Sequence, residues 1–448
     1  MASLKEIANG FGSLFYLVNP YESMYKTVED MPHPNVVEKA GSYFFVLIVL
    51  EQLVLKWKGK PGIRLNDGLM SIANGFIMGI KDVLIKGLLM QGYFYIYDHH
   101  RIYELPWDSI WTWIIAAVGS DLAYYWIHRA AHEVNILWAA HQVHHSSEEY
   151  NLTTALRQSF MQAFGSWPFY LPMAFFVPPT HVIIHSQFNL LYQFWIHTEA
   201  VKTIGPLEHI LNTPQHHRVH HGSNRYCLDK NYAGVLIIWD RMFGTFEWER
   251  PGEDIVYGLV DQPQYFSPMR HQIHYYVKIV EKANTMDNWS DKLSAFLKGP
   301  GWFPGTPRLG DIMQVPERQN RKKYDPKVPS WATVYAALHF LLLFMAYDNF
   351  IRFNVGMSQR TVTLVIGLLI WTLSNIGFIF DKRPWDWFSE ILRCSFIMAL
   401  QIYLGSLQGF QIPNEIVFWA FLASWGIASA AFLAKFITLS TSNNIKKD

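Results

Sequence analysis

Four long apolar runs fill the last quarter of the chain, at about 331–350, 361–380, 387–407 and 415–437. A helix of about 20 apolar residues crosses about 30 Å of hydrocarbon, and each run has that length. Inside a bilayer the backbone has no water to bond, so runs of this kind are expected to be helical. Earlier stretches carry the same texture less cleanly. Residues 41–57, GSYFFVLIVLEQLVLKW, are short for a span and contain Glu51. Residues 69–97 are apolar but interrupted by Lys81, Asp82 and Lys86, which suits either a tilted span or a membrane-surface helix. Residues 109–127 read as a span rich in Trp and Tyr. Residues 160–196 are punctuated by Pro168, Pro172, Pro178 and Pro179, which predicts a bent helical hairpin that enters and leaves on one side. Only 16% of residues are charged, against about a quarter in soluble domains. The expected fold class is all-α, a polytopic integral membrane protein. Its expected parts are an N-terminal membrane region (1–108), a histidine-rich core (109–250), a cap or linker (251–330) and a four-span membrane region (331–448).

Charge narrows function and sets orientation. The net charge of +1 gives no reason to expect a nucleic-acid partner. Two cysteines, Cys227 and Cys394, argue against a disulfide framework or a cysteine zinc site. The opening MASLKEIANGFGSLFYLVNP lacks a basic start followed by a long apolar core, so no cleaved signal peptide is expected. Lys56, Lys58, Lys60 and Arg64 follow the first apolar stretch, and Arg318, Arg321, Lys322, Lys323 and Lys327 precede the late runs. With Lys382, Arg383, Lys446 and Lys447 they share one side if each late run crosses once, leaving Arg352 and Arg360 on the other. The positive-inside bias makes the rich side cytosolic. That puts residues 128–145 and a polar cap over 198–330 on the cytosolic face, and the N-terminus opposite. The sequons at Asn151 and Asn288 are then expected to carry no glycan.

The chemistry concentrates in three histidine clusters. His128 and His132 are spaced i, i+4. His141, His144 and His145 form H-x-x-H-H, and His217, His220 and His221 repeat it. On a helix these spacings share one face, so each cluster can aim its imidazoles at one point. Histidine is 19 of 448 residues, and the triple spacing should arise by chance at roughly 0.03 places in such a chain. A helix face bonded to lipid headgroups is the bland alternative. Two occurrences beside apolar spans favour function. Eight imidazoles exceed the four ligands of one structural zinc and suit two metals with about four each. His197, at the end of the hairpin, is a candidate ninth ligand; otherwise it is a hydrogen-bonded boundary histidine. His216 points about 100° away from His217 and is expected outside the ligand set. Metal-bound histidines need an acceptor at their second nitrogen. Asp121, seven residues before His128, is a candidate, with a polar helix contact as its alternative. Asp240 is a second candidate to support the ligands from outside; it and Arg241 are candidates to pair and hold the cap against the histidine helices, with a simple surface turn as the alternative. Glu133, next to His132, is a candidate to orient a ligand or meet a cationic cofactor group; a solvated carboxylate is the alternative.

HRAAH, HQVHH and HRVHH, with 71 residues between the second and third clusters, resemble the fatty acid hydroxylase/sterol desaturase superfamily. NYAGVLIIWDRMFGTF resembles the segment after that family's last cluster. The resemblance covers roughly 115–250. It implies a di-iron site in the endoplasmic reticulum membrane, facing the cytosol, with His128, His132, His141, His144, His145, His217, His220 and His221 as ligands. No His-Pro-Gly-Gly haem-domain signature is present, and sterol desaturases usually lack a four-span tail like that at 331–437. The N-terminal half, core and tail together resemble the tetrahydrobiopterin-dependent, ether-lipid-cleaving branch of the superfamily. That implies two iron ions and tetrahydrobiopterin as cofactors. It also implies dioxygen, a pterin-recycling enzyme, and an alkylglycerol or lyso-ether lipid drawn from the bilayer. Hydroxylation of the alkyl carbon beside the ether oxygen would give a hemiacetal, which falls apart to a fatty aldehyde and a glycerol derivative. Glu133 becomes the candidate for the pterin's amino-pyrimidine edge. The rivals are a sterol or fatty-acid oxidase using cytochrome b5, and a metal transporter or store. A transporter should carry its ligands at mid-span depth, whereas these clusters sit at span ends.

Overall fold

The computed structural model describes residues 4–32, 36–85, 87–318, 320–404 and 414–445. Lys86, which interrupts the 69–97 stretch, and Lys446 and Lys447, which enter the charge argument, lie outside them. Ten helices supply the apolar spans and position the histidines: α1 (Gly41–Trp57), α2 (Leu65–Ile85), α3 (Ile110–Glu133), α4 (Asn135–His145), α5 (Pro179–Ile196), α6 (Pro214–His221), α7 (Ser330–Phe353), α8 (Gln359–Phe380), α9 (Asp386–Leu404) and α10 (Asn414–Ile445). Among the described residues there is no strand, only isolated bridges such as Leu211 with Leu236. The chain forms two units. One holds residues 1–263 and 271–323; the other holds 264–270 and 324–448.

This is a multi-pass membrane protein. Leu65–Ile85, Ser330–Gly356, Gln359–Phe380 and Ile416–Ile437 are long and apolar enough to cross a bilayer. Helices α3, of 24 residues, and α9, of 19, fall outside that group. α3 carries Asp121, His128, Arg129, His132 and Glu133, and α9 carries Asp386, Glu390 and Arg393. The apolar stretch at 69–97 is two helices. α2 ends at Ile85, Gly87 adopts a left-handed φ of 77°, and a new helix runs Gln91–His100. Glycine takes that conformation at no steric cost. The proline-punctuated stretch bends as expected. A short helix, Gln162–Ser166, passes into a 3₁₀ segment, Trp167–Phe175, with Pro172 inside it. Pro178 then caps α5, and Pro179 opens it, where a missing N–H leaves no helical bond unmade.

In the second unit, helices α7 to α10 close around a polar knot. Arg393 Nε donates to Glu390 at 2.9 Å, Nη2 contacts His339 Nδ1 at 2.9 Å and Nη1 reaches Thr372 at 3.3 Å. Tyr335 and Asn375 donate to the two oxygens of Glu390, and His339 Nε2 meets Ser424 at 3.0 Å. Both charged residues are almost wholly buried, and the free thiol of Cys394 lies against Glu390. In the first unit, the buried thiol of Cys227 sits where a side chain at Gly222, next to His221, would strike it.

Candidate metal centre

Helix α3 stops at Glu133, and α4 starts two residues later. Asn135 fixes the corner: its N–H donates to Lys298 O at 2.9 Å and its amide to Ala295 O at 2.8 Å. His128 and His132 on α3 thus face His141, His144 and His145 on α4. α6 brings His217, His220 and His221, and His197 caps the C-terminal end of α5.

Among the described residues the nitrogens fall into two groups, His128, His132, His141, His145 and His220, and His144, His197, His217 and His221. Within each group the nitrogens lie within 4.8 Å of one another, and all nine residues are buried. The expected even split is therefore five and four, with His197 in the smaller set. His216 is in neither; it packs against Phe246 and Trp248.

Outer hydrogen bonds say which nitrogen points inward. The Nδ1 atoms of His128, His144, His197 and His220 face the carbonyls of Tyr232 (2.7 Å), Arg157 (3.1 Å), Gln193 (2.6 Å) and Lys230 (2.8 Å). His141 Nδ1 faces the side-chain Oε1 of Gln162 at 3.3 Å. A carbonyl only accepts, and it is the nearest partner of each Nδ1 (the Gln158 amide lies farther from His144 Nδ1, at 3.3 Å), so each of these rings is assigned its proton on Nδ1, with Nε2 as a bare lone pair. Those lone pairs then confront one another. His128 and His141 Nε2 are 3.0 Å apart, and His144 and His197 Nε2 are 3.1 Å apart. His132 and His220 Nε2 are buried with no hydrogen-bond partner. Burial disfavours the alternative of protonating them. It pushes His141 and His197 down to about 4 and His220 down to about 3, and neighbouring imidazoles lower His217 and His221 further. Neutral imidazoles converging on two points fit a pair of first-row transition-metal ions.

Other expected residues take different places. Asp121 touches none of the nine. It accepts from Asn189, the Val235 and Leu236 N–H groups and the Trp239 indole at 2.7–2.9 Å, which pins segment 235–239 to α3. Seven residues put it about 10 Å up the helix from His128, on the right face but out of reach. Asp240 does not pair with Arg241. Neighbours on a helix diverge by about 100°. Asp240 instead accepts from the Tyr232 and Ala233 N–H groups at 2.8 Å and from Thr245 at 2.6 Å, and Arg241 lies 3.8 Å over the Phe246 ring. Asp240 thereby steadies the residue whose carbonyl holds His128. Glu133 pairs with Arg129 at 2.8 Å and Arg308 at 3.3 Å. Its side chain is 16% exposed. A cavity of about 520 Å³ between α3 and the proline hairpin is lined by Gly119, Ala123, Trp126, Phe169 and Met173. It belongs to the far side of α3, since nine residues from Gly119 turn His128 about 180° away. Sequence reasoning missed the segment after α6. It gives the carbonyls of Lys230 and Tyr232 to two rings, and carbonyls leave no side-chain signature.

Similarity to known proteins agrees with this geometry. Residues 113–245 match the fatty acid hydroxylase family, and residues 332–420 match the alkylglycerol monooxygenase C-terminal domain. The chain is 48% identical to an alkylglycerol monooxygenase of Xenopus tropicalis, covering 94% of each chain. It is 46% identical to one of Homo sapiens, covering 94% of this chain and 95% of that one. Lathosterol oxidase of Mus musculus is 25% identical over 38% of this chain and 56% of its own. No solved structure matches. Similarity at that level over nearly the full length goes well beyond the shared histidine core, and the chain belongs to the alkylglycerol monooxygenase family.

Proposed function

We propose that this protein is an ether-lipid mono-oxygenase whose nine clustered histidines hold two iron ions. The observation that carries the metal is the pair of lone-pair contacts, His128 to His141 Nε2 at 3.0 Å in one group and His144 to His197 Nε2 at 3.1 Å in the other, an arrangement that is repulsive without a cation between them. The substrate class rests on the names of the full-length relatives. The substrate is an alkylglycerol or lyso-ether lipid, hydroxylated at the alkyl carbon next to the ether oxygen, and the hemiacetal divides into a fatty aldehyde and a glycerol derivative. Iron at the centre supplies the dioxygen chemistry that an unactivated C–H bond requires. The chain's own residues do the rest. The carbonyls of Tyr232, Arg157, Gln193 and Lys230 hold the rings with their Nε2 atoms inward, and the buried setting keeps water from the site.

Tetrahydrobiopterin is the proposed reductant, with Glu133 the candidate for its amino-pyrimidine edge. Glu133 would have to exchange Arg308, which is half exposed, for the pterin. Glu133→Gln is expected to raise the apparent KM for the pterin; an unchanged value removes Glu133 from that role. The proposed location is the endoplasmic reticulum membrane with the histidines toward the cytosol. Asn288 is an exposed helix cap and so a usable reporter, whereas Asn151 is buried in a capping box. A glycan on Asn288 in cells would overturn that orientation.

The deciding experiment is turnover of an alkylglycerol by the purified protein with and without tetrahydrobiopterin, alongside metal analysis. Aldehyde release that needs the pterin supports the proposal. Turnover of a sterol driven by cytochrome b5 would replace it. Zinc in a recombinant sample would not decide the metal, because zinc outcompetes ferrous iron at nitrogen sites.

A further inference from the structure

The segment Asp229–Tyr232 meets three of the five rings in the larger group within four residues. Lys230 O faces His220 Nδ1 at 2.8 Å, Tyr232 O faces His128 Nδ1 at 2.7 Å, and Asp229 Oδ1 stands 3.8 Å from His132 Nδ1. The backbone is built for this. Asp229 and Asn231 both have left-handed φ values, 57° and 54°, alternating with the residues that present carbonyls. Left-handed backbone is uncommon for residues other than glycine, with Asp and Asn the usual exceptions, and it persists only where the surroundings enforce it. Here they do. The Asn231 amide donates to His216 O at 3.0 Å and Glu247 O at 2.8 Å, and its carbonyl accepts from the Glu247 N–H at 2.9 Å. Asp240 clamps the far end through the N–H groups of Tyr232 and Ala233.

Asp229 differs from the other partners in charge. His128, His144, His197 and His220 each face a carbonyl at Nδ1; His132 faces a carboxylate. Its Nε2 is the buried nitrogen without a partner, so the ring is oriented with Nδ1 toward Asp229 and Nε2 toward the cage. At 3.8 Å the carboxylate is beyond direct hydrogen-bond reach, and its charge still favours the proton on Nδ1 and makes the inner nitrogen a stronger donor. We infer that Asp229 is a positioning residue for His132. It makes the five-histidine group the tighter and more electron-rich of two unequal metal sites. This role rests on the two-metal proposal above.

The left-handed φ supplies a clean test. Asp229→Gly removes the carboxylate while keeping a residue that adopts this backbone freely. Asp229→Asn keeps a side-chain acceptor without the charge. Full-length protein in nanodiscs is loaded with ferrous iron, then titrated with a chelator while bound iron and the Mössbauer spectrum are followed. Wild type is expected to hold two ions with distinct signatures. In Asp229→Gly, one ion is expected to bind about 10–100-fold more weakly while the other is unchanged, with Asp229→Asn in between. Two ions at wild-type affinity, or two weakened alike, overturn the inference. Should Asp229→Gly not accumulate, Asp229→Asn decides. A shift confined to one of two ferrous doublets supports it, and any other pattern sinks it. A wild-type protein that never holds two ions would instead count against the two-metal proposal, so the two failures are distinguishable.

Discussion

Each unit buries a cluster of polar side chains, and the two clusters are built on opposite principles. In the second unit every strong partner meets its complement: the Arg393 guanidinium spans Glu390, His339 and Thr372, and Glu390 also takes Tyr335 and Asn375. Its charges are thus balanced within the fold, and among these side chains only Asn375 Oδ1 is left without a hydrogen-bond partner. In the first unit nine imidazoles converge: the inner nitrogens of His128 and His141 oppose one another at 3.0 Å, those of His144 and His197 at 3.1 Å, and those of His132 and His220 have no partner. A buried polar group without a partner costs stability, so a set of them is sustainable only if something outside the chain completes it. One cluster is finished by folding; the other is finished by binding.

Substitutions can break that contrast, starting with the largest effect. His144→Ala and His220→Ala each remove a proposed inner ligand and are expected to abolish ether cleavage, a loss beyond the roughly 10–100-fold typical of outer-layer changes. Substantial residual turnover would mean the ring is no ligand. Next, Arg393→Met leaves Glu390 buried and unpaired, and should lower the stability of the purified protein by about 3–5 kcal/mol. Iron content should be unchanged. Replacing Glu390 by Met as well should restore most of that stability, because a buried pair can be exchanged for apolar packing at little cost. A double variant as unstable as the single one would show that the knot does more than satisfy itself. Third, stripping the metal should destabilise the first unit, by about 2.7 kcal/mol where the ion had stood at a hundredfold its Kd. The second unit should not respond. Hydrogen exchange resolved by unit checks this, and equal loosening in both would erase the distinction. The smallest effect is expected from Arg308→Ala, which removes a half-exposed partner of Glu133. Chemical denaturation should register a loss of less than about 1 kcal/mol.

The parts that are legible in sequence share a cause. His128 to His145 and His217 to His221 lie on helices, where spacing along the chain translates directly into a shared face. The late apolar runs are legible for a similar reason, because hydrocarbon thickness dictates their length. His197 is harder to read. It stands alone at a helix end, and only the hairpin's return path points it back toward the others. Asp121 shows where spacing misleads, since the right face at the wrong height places it on segment 235–239. Asp240 and Arg241 show that adjacency in sequence is separation on a helix. The segment 229–232 is least visible, because its work is done by carbonyl oxygens common to every residue. The one hint is an alternation of Asp and Asn, the residues most tolerant of left-handed backbone.

The chain's two cysteines now acquire a use. Cys227 is buried beside the loop that follows His221, and Cys394 is buried against Glu390, so one thiol stands next to each cluster. A thiol shielded in the folded state reacts with an alkylating reagent only when its surroundings open, and its rate then measures the free energy of that opening. The protein therefore carries two built-in clocks, one per unit, that need no engineered probe. Reading them side by side, with metal present and withdrawn, would time how each half of the molecule breathes.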